Sequence, residues 1–440
     1  MITAKRFTIT HKLTVFALIW LGQLVSLTGS GLTSFALGVW VYQSTGSATQ
    51  YALISFFTFL PRFVLSPVAG VLVDRWNRRR VMMLSDAGAG LSTLALLLLL
   101  ATGRLEIWHI YLATTLNSTC SSFQRLAYYA STTLLVPKKH FGRSSGMIQL
   151  GRAAAQVAAP MLAAWLVLMI DVQGVILIDV ATFIFALFTL QIVQVPRPET
   201  SAAGQESRGS FLSESTFGWT YVKARPGLLG LLLFFAATNI ADDMTIVLIT
   251  PLVLSFAGTS TLGTILSISG IGMLCGGAVI SIWGGPKRHI NGVYGSMLLG
   301  GIATLLGGLQ PSALLVAVAV FMFFFSDQVI SGCAQAIWQS KVEPDLQGRV
   351  FSVRRMIAYP TTCLAYLIAG PLADNILEPL LANEGPLAGS IGQIIGTGPG
   401  RGIGLLYIVL GIFTVLVTIG AYSYPRLRLV EDELPDAVTD

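Results

Sequence analysis

Twelve apolar segments along this chain, each long enough to cross a lipid bilayer as a helix, constrain its fold more than any other feature. A helix needs about 20 predominantly apolar residues to span the hydrocarbon core. Breaking the 440-residue sequence at its charged and its Gly- or Pro-rich points predicts spans at 13–42, 48–73, 81–102, 107–135, 143–170, 174–195, 226–257, 261–284, 291–309, 313–340, 347–380 and 401–423. The pattern predicts an all-α polytopic membrane protein of about 12 transmembrane helices, here called the first to the twelfth span.

The composition excludes most other classes of protein. Hydrophobic residues make up 54% of the chain and charged residues only 11%, whereas a soluble domain is about a quarter charged. The first apolar run continues to Tyr42 and is far longer than the core of a cleavable signal peptide. We therefore expect residues 1–12 to form a short basic leader, and the lipid bilayer to be the main partner of the chain.

One long polar connection divides the chain. Residues 196–225 contain the run PRPETSAAGQESRGS, whose composition is typical of a flexible cytoplasmic linker. This linker predicts an N-terminal half at 1–195 and a C-terminal half at 226–440, each with six spans. Gly142-Arg143 and Gly348-Arg349 recur 206 residues apart, which favours two pseudo-symmetric halves related by an axis along the membrane normal.

Lysine and arginine are distributed unevenly between the two sides. Of the 27, the alternation of spans puts 22 on one side, with Arg354 and Arg355 among them, and only Arg104 and Arg401 on the other. Because basic loops remain in the cytoplasm, we expect both termini and the linker to be cytoplasmic in a plasma (inner) membrane. The same distribution explains the net charge of +6 without nucleic acid as a partner.

The loop after the second span carries a motif, GVLVDRWNRRR over residues 70–80. Gly70 allows a neighbouring helix to approach closely, and Asp74 can accept hydrogen bonds from a helix N-terminus or pair with an arginine. Asn77 tolerates a left-handed backbone and is expected to sustain the turn. The alternative is an ordinary basic loop. The predicted conformational latch consists of Gly70, Asp74, Arg75, Arg78 and Arg79.

The motif resembles the signature loop of the major facilitator superfamily, roughly G-x-L-a-D-R-x-G-R-R/K, with Asn77 in place of its second glycine. The resemblance covers nearly the whole chain and is nearest to the branch of macrolide-efflux proteins and the enterobactin exporter, supported by Gly46-Ser47, Pro67 and the run GRVFS at 348–352. It implies a secondary active transporter that works by alternating access and exports a small organic solute, such as a drug or siderophore. Ala159-Pro160 departs from the Gly-Pro pattern of many antiporters.

Ionisable side chains inside spans mark candidate sites, because a charge within the bilayer is costly. The first half places three arginines at depth and the second half three aspartates, and polar residues at helical spacing accompany the aspartates. The predicted substrate cavity or proton-coupling site consists of Arg62, Arg125, Arg152, Asn239, Asp242, Asp243, Asp327, Ser331 and Gln335. The alternative is that these charges pair across the halves as structural contacts.

The arrangement predicts a positive wall from the first half that faces a negative wall from the second. An anionic or strongly hydrogen-bond-accepting substrate would suit the arginines, and an aspartate would carry the proton, because no histidine lies at mid-depth. Asp327 is favoured for its polar stripe, while the sequence does not choose between Asp242 and Asp243. The resemblance implies a cavity lined by helices 1, 2, 4, 5, 7, 8, 10 and 11. Asp86 and Asp179 lie on the third and sixth spans, outside that set, and are expected to be structural.

The sequence lacks the motifs that other functions would need. The sequence has no P-loop, no metal-binding His/Cys cluster and no nucleophile arrangement, so we expect no enzyme activity, no cofactor and no metal. A proton gradient is the expected driving force. The alternatives are an uptake permease or lipid flippase of the same fold, or a membrane enzyme, sensor or channel. We expect a monomer whose partner is a small-molecule substrate.

Overall fold

The structure is a computed structural model that describes residues 2–137, 141–193, 219–343 and 346–433, with the backbone alone at 2–13, 66–68, 70–71, 74–75, 133–134, 141–142, 348–349 and 433. Every regular element in this part of the chain is helical. The long helices are Ile2–Thr45, Ala48–Arg75, Arg78–Ala101, Ile107–Leu135, Phe141–Ile192, Pro226–Leu254, Thr259–Trp283, His289–Leu309, Ala313–Lys341, Gln347–Pro371 and Arg401–Ser423.

These helices account for the twelve predicted spans. Ten helices among the described residues are long and apolar enough to cross a membrane. One of them, Arg143–Ile192, holds two spans, because its backbone breaks at Asp171, where φ is 58° and ψ is 176°. Ile107–Leu135 has the length of a span, at 29 residues, but many Ser, Thr and Asn side chains keep its hydropathy low. The all-α polytopic fold is therefore confirmed.

Three boundaries differ from the prediction. The first helix begins at Ile2, so the expected leader continues the helix instead of preceding it. The fifth and sixth spans are joined by the single left-handed residue Asp171 and not by a loop. Most of the predicted linker lies outside the described residues, and its last part, 219–223, is helical.

The chain forms two compact units. The first contains residues 1–44 and 54–207, and the second contains residues 45–53 and 208–440. The first turn of the second helix thus packs with the last six spans. The predicted halves at 1–195 and 226–440 remain a prediction, because their boundary lies among residues that the structure does not describe.

The core of the first unit joins the first, third, fourth and sixth spans around Ile19, Met82 and Leu190, all of them buried. Two aspartates are buried in the same unit. Asp86 accepts a hydrogen bond from Gln23 Nε2 at 2.9 Å, and Asp179 lies against Ser30 and Thr182 of the first and sixth spans. Both carboxyl groups therefore tie helices together, as expected of structural aspartates.

The core of the second unit surrounds Trp338, which is fully buried among the seventh, ninth, tenth and eleventh spans. Three helix N-termini in this unit are capped by carboxylates from other elements. Asp374 caps the second helix, Glu378 caps the twelfth span and Glu431 caps the ninth. A carboxylate suits these positions, because the first turn of a helix has free N–H groups and the positive end of the helix dipole.

Candidate functional site

A cavity of about 400 Å³ lies inside the second unit, among the seventh, ninth, tenth and eleventh spans. Lining positions recur on each helix at intervals of three and four, so each helix contributes one face. The lining residues are Leu232, Phe235, Ala236, Asn239 and Asp242; Met297 and Gly300; Phe323, Ser326, Asp327, Ile330, Ser331, Ala334, Gln335 and Trp338; and Phe351, Arg354, Arg355, Ile357 and Ala358.

The structure brings most of the second-half candidates together in this cavity. Asn239, Asp242, Asp327, Ser331 and Gln335 all line it. The polar stripe predicted on the tenth span is therefore a cavity face, and it meets a polar face of the seventh span. The functional roles of these residues remain a prediction.

The structure also distinguishes the two adjacent aspartates. Asp242 lines the cavity, whereas the Asp243 carboxylate accepts a hydrogen bond from Thr362 Oγ1 of the eleventh span at 2.7 Å. This separation follows from the helix, because successive side chains point about 100° apart. Asp243 thus joins two helices outside the cavity lining and provides a natural control for Asp242.

Two arginines that the charge count placed on the cytoplasmic side, Arg354 and Arg355, line the cavity instead. The eleventh helix begins at Gln347, so Arg354 lies about 10 Å along it from that end. Its Nη1 is 3.4 Å from Gln335 Oε1, and its guanidinium lies 4.9 Å from the centre of the Trp338 ring. The expected negative wall is therefore wrong for this cavity, which carries both signs of charge.

Two buried polar atoms of the cavity lining have no hydrogen-bond partner among the described residues. They are Ser326 Oγ and Trp338 Nε1, and both side chains are fully buried. Buried polar atoms nearly always have a partner, which can be protein, water or a bound molecule. Sequence reasoning missed both residues, because a Trp or Ser in an apolar helix is indistinguishable from a packing residue.

The first-half arginines lie in the first unit and do not line this cavity. Arg62 and Arg125 are exposed, and Arg152 is half-buried. The Arg152 guanidinium lies 5.2 Å from the centre of the Tyr129 ring, a cation–π contact. The predicted substrate role of these three arginines is untested and remains a prediction.

Two arginines of the motif after the second span form hydrogen bonds with backbone carbonyls of neighbouring helices in the first unit. Arg78 Nη1 donates to the Ala130 carbonyl at 2.7 Å. Arg79 donates to the carbonyls of Leu190 and Gln191, at 2.7 and 2.6 Å. The Leu190 and Gln191 carbonyls lie in the last turn of the sixth span, where cations are favoured by the helix dipole. Arg78 and Arg79 therefore hold the third span to two neighbours.

The turn in this motif differs from the prediction. Asn77 has φ −66° and ψ 111°, so its backbone is not left-handed, and its side chain accepts a hydrogen bond from the Arg80 N–H. Asn serves here as a helix N-cap, a role in which its side chain replaces a missing backbone acceptor. The side chains of Gly70, Asp74 and Arg75 lie outside the described residues, so the predicted latch through Asp74 remains a prediction.

Helices long and apolar enough to cross a membrane, with a charged cavity inside the second unit, define a polytopic membrane protein with a candidate binding site. The family model of the Major Facilitator Superfamily matches residues 19–375. The chain belongs to this superfamily, which confirms the family predicted from the motif and makes the protein a transporter and not an enzyme.

Similar proteins agree with this assignment. The chain is 29% identical to macrolide efflux protein A of Streptococcus pyogenes over 371 residues, which cover 82% of this chain and 90% of that protein. It is 25% identical to the enterobactin exporter EntS of Shigella flexneri over 359 residues, covering 78% and 80% of the two chains. A crystal structure of a bacterial homolog of the human lysosomal transporter Spinster, inward-facing and unoccupied, shares the fold with a TM-score of 0.70 at 14% identity, covering 96% of this chain and 98% of that one.

Proposed function

We propose that this transporter exports a small organic solute across the plasma membrane in exchange for protons, by alternating access, with both termini in the cytoplasm. The observation that carries the proposal is the cavity of the second unit, whose lining includes both Asp242 and Asp327 and both Arg354 and Arg355. Ionisable groups inside membrane spans are costly and are retained for transport or coupling. The efflux proteins among its relatives support the outward direction.

The walls of the cavity suit an amphipathic solute. Phe235, Phe323 and Phe351 provide aromatic surface, which binds apolar and cationic groups well. Asn239 and Gln335, which are only partly buried, can form hydrogen bonds with a solute. Small-molecule sites typically combine such apolar walls with a few convergent polar groups.

The balance of charge in the cavity determines how a proton would couple to the solute. Two aspartates and two arginines line it, so their formal charges cancel. A proton on Asp327 removes one negative charge, which weakens the binding of a cation and strengthens that of an anion. Because coupling is reciprocal, a cation and a proton displace each other, whereas an anion and a proton bind together. Under this charge balance, export driven by entering protons favours a solute with a cationic group.

A cationic solute differs from the anionic or strongly hydrogen-bond-accepting substrate expected from the sequence. That expectation treated the second-half charges as negative only, and Arg354 and Arg355 change their balance. An anionic solute remains compatible with uptake together with protons. The two coupling modes differ in the pH dependence of binding: a cation should bind more tightly as pH rises, and an anion as pH falls.

The test is transport into everted membrane vesicles with and without a pH gradient. A macrolide and enterobactin, named for the two relatives, are the first probes, together with simple cationic and anionic dyes. We expect accumulation of a cationic probe only when the vesicle lumen is acidic. Asp327→Asn should lose this accumulation at least tenfold while retaining exchange of labelled against unlabelled solute, because the binding site persists without its proton carrier.

Asp243→Asn tests the adjacent carboxylate, which contacts Thr362 outside the cavity lining. If Asp327 alone carries the proton, this variant should retain gradient-driven accumulation. Arg354→Gln and Asp242→Asn should alter solute affinity. The proposal fails if the variants at Asp242, Asp327 and Arg354 all transport as the unmodified protein does. It also fails if only anionic solutes move, and they move inward with protons.

A further inference from the structure

A second cavity, an apolar groove of about 430 Å³, lies on the surface of the second unit, between the first turns of the seventh span and the end of the twelfth. Leu229 and Leu233 form one wall, and Val417 and Ala421 the other. Leu233 is 57% exposed on this surface. Such a groove on the outside of a membrane helix bundle faces the hydrocarbon of the lipid.

Glycine at position 230 creates the depth of this groove. A Cβ atom added there would lie 3.7 Å from Leu427 Cβ and 3.7 Å from Tyr424 Cε1. A methyl group, as in alanine, would therefore fit at position 230, but a longer side chain would extend into the groove. The groove is distinct from the charged cavity, which lines the other face of the seventh span.

Basic residues flank the lining at one end. Arg225 precedes the lining residue Pro226, and Arg426 and Arg428 flank the lining residue Leu427. The Arg225 guanidinium lies 3.6 Å from the centre of the Tyr221 ring and donates to the Tyr221 carbonyl. Arg426 and Arg428 are exposed.

No carboxylate among the described residues forms a salt bridge with these three arginines. Two acidic side chains that the structure describes near this end have other partners. Asp432 forms a salt bridge with Arg288 at 3.2 Å, and Glu431 accepts hydrogen bonds from the first N–H groups of the ninth span. The Arg428 guanidinium lies 5.5 Å from the centre of the Tyr422 ring. The end of the groove therefore carries arginines whose described contacts are with aromatic rings and a carbonyl and not with carboxylates.

We propose that the groove binds one acyl chain of an anionic phospholipid, whose phosphate is bound by Arg225, Arg426 and Arg428. The apolar walls match the acyl chain. Arginine matches the phosphate, because its planar guanidinium donates to two oxygens at once. A basic cluster at the membrane boundary of a helix pair is a recognised arrangement for an anionic headgroup. The charge complementarity distinguishes this occupant from a zwitterionic lipid.

The experiment is native mass spectrometry of the full-length protein, purified in detergent and supplied with phosphatidylglycerol or, separately, phosphatidylcholine of the same acyl chains. We expect one phosphatidylglycerol per chain to be retained at least tenfold more strongly than phosphatidylcholine. Replacing Arg225, Arg426 and Arg428 together with Gln should remove this preference. Gly230→Leu should remove binding of both lipids, because its side chain fills the groove.

Two variants control for general effects. Gly295→Leu adds the same side chain near the start of the ninth span, where nothing lies within 4 Å of the added Cβ, and Lys287→Gln removes an exposed charge from the adjacent loop. Both should bind as the unmodified protein does. If Gly230→Leu fails to fold, Ala421→Leu narrows the groove from the opposite wall and should have the same effect.

Three results would overturn the proposal. The first is equal retention of the two lipids. The second is lipid retention that survives both Gly230→Leu and Ala421→Leu in folded protein. The third is a dimer of the unmodified protein that either groove variant dissociates, which would assign the groove to a second copy of the chain.

Discussion

The cap that Asp374 forms on the second helix leads to a quantitative prediction. Its carboxylate accepts hydrogen bonds from Ser47 Oγ at 2.7 Å and from the N–H groups of Ala48 and Thr49, at 3.1 and 2.8 Å. The backbones of Gly370 and Thr49 lie close together: a Cβ added at Gly370 would be only 2.3 Å from the Cα of Thr49. The Asp374 carboxylate, which is distant in sequence, thus accepts hydrogen bonds from the otherwise unpaired N–H groups at the start of the second helix.

Asp374→Asn keeps the shape of the side chain but removes its charge and one acceptor oxygen. A hydrogen bond to a charged group contributes about 1.5–3 kcal/mol, and loss of an N-cap costs about 1 kcal/mol. We therefore expect the contact to weaken by about 2 kcal/mol. Since about 1.4 kcal/mol corresponds to a factor of ten, any opening that breaks this contact should become roughly 30 times more frequent.

The assay is amide hydrogen exchange in the membrane-mimetic state, followed by mass spectrometry. Asp374→Asn should accelerate exchange in the peptide that covers residues 45–53. Glu378→Gln is the matched control: Glu378 also caps a helix, with hydrogen bonds from the Gly400 and Gly402 N–H groups at 2.5 and 2.8 Å. It should accelerate exchange around Gly400 and leave 45–53 unchanged. Equal exchange at 45–53 in Asp374→Asn and the unmodified protein would refute the reasoning.

Two further predictions concern the cytoplasmic side. The basic residues predict that residues 196–225 are cytoplasmic. Single cysteines placed there should be shielded from an impermeant thiol reagent added outside intact cells, while cysteines placed in 382–400 should react. The reverse labelling pattern would show that the predicted topology is inverted. If Asp74 latches the cytoplasmic side, Asp74→Asn should insert normally but transport at least tenfold more slowly, because a charge-assisted contact contributes about 1.5–3 kcal/mol. Normal transport by a well-expressed variant would remove that role.

The fold could be predicted from the sequence because a spanning helix is recognisable from its length and its apolar composition. The break at Asp171 was harder to predict, since its left-handed φ of 58° is uncommon for a residue other than glycine. Asn77 was misread for a related reason. Its identity suits both a left-handed turn and a helix N-cap, and only the backbone angles distinguish the two.

The candidate site was only partly predictable. Asp242 and Asp327 were found because a carboxylate stands out within an apolar run. Arg354 was missed because it follows a basic loop, where the charge rule expects arginine, and only the helix geometry shows its depth. Trp338 and Ser326 have no signal in the sequence, since what distinguishes them is burial without a hydrogen-bond partner among the described residues.

The position of a charge relative to the helix ends explains some of the charges that hold the fold. Arg79 donates to carbonyls in the last turns of the sixth span, and Asp374 accepts from the first N–H groups of the second helix. Each has the sign that its helix dipole favours. Asp242 and Asp327 lie in the interior of their helices, where neighbouring backbone groups already have intrahelical partners. The helix dipole therefore explains Arg79 and Asp374 but not Asp242 and Asp327, and the place of these two carboxylates in the cavity lining is what supports the proposed coupling role.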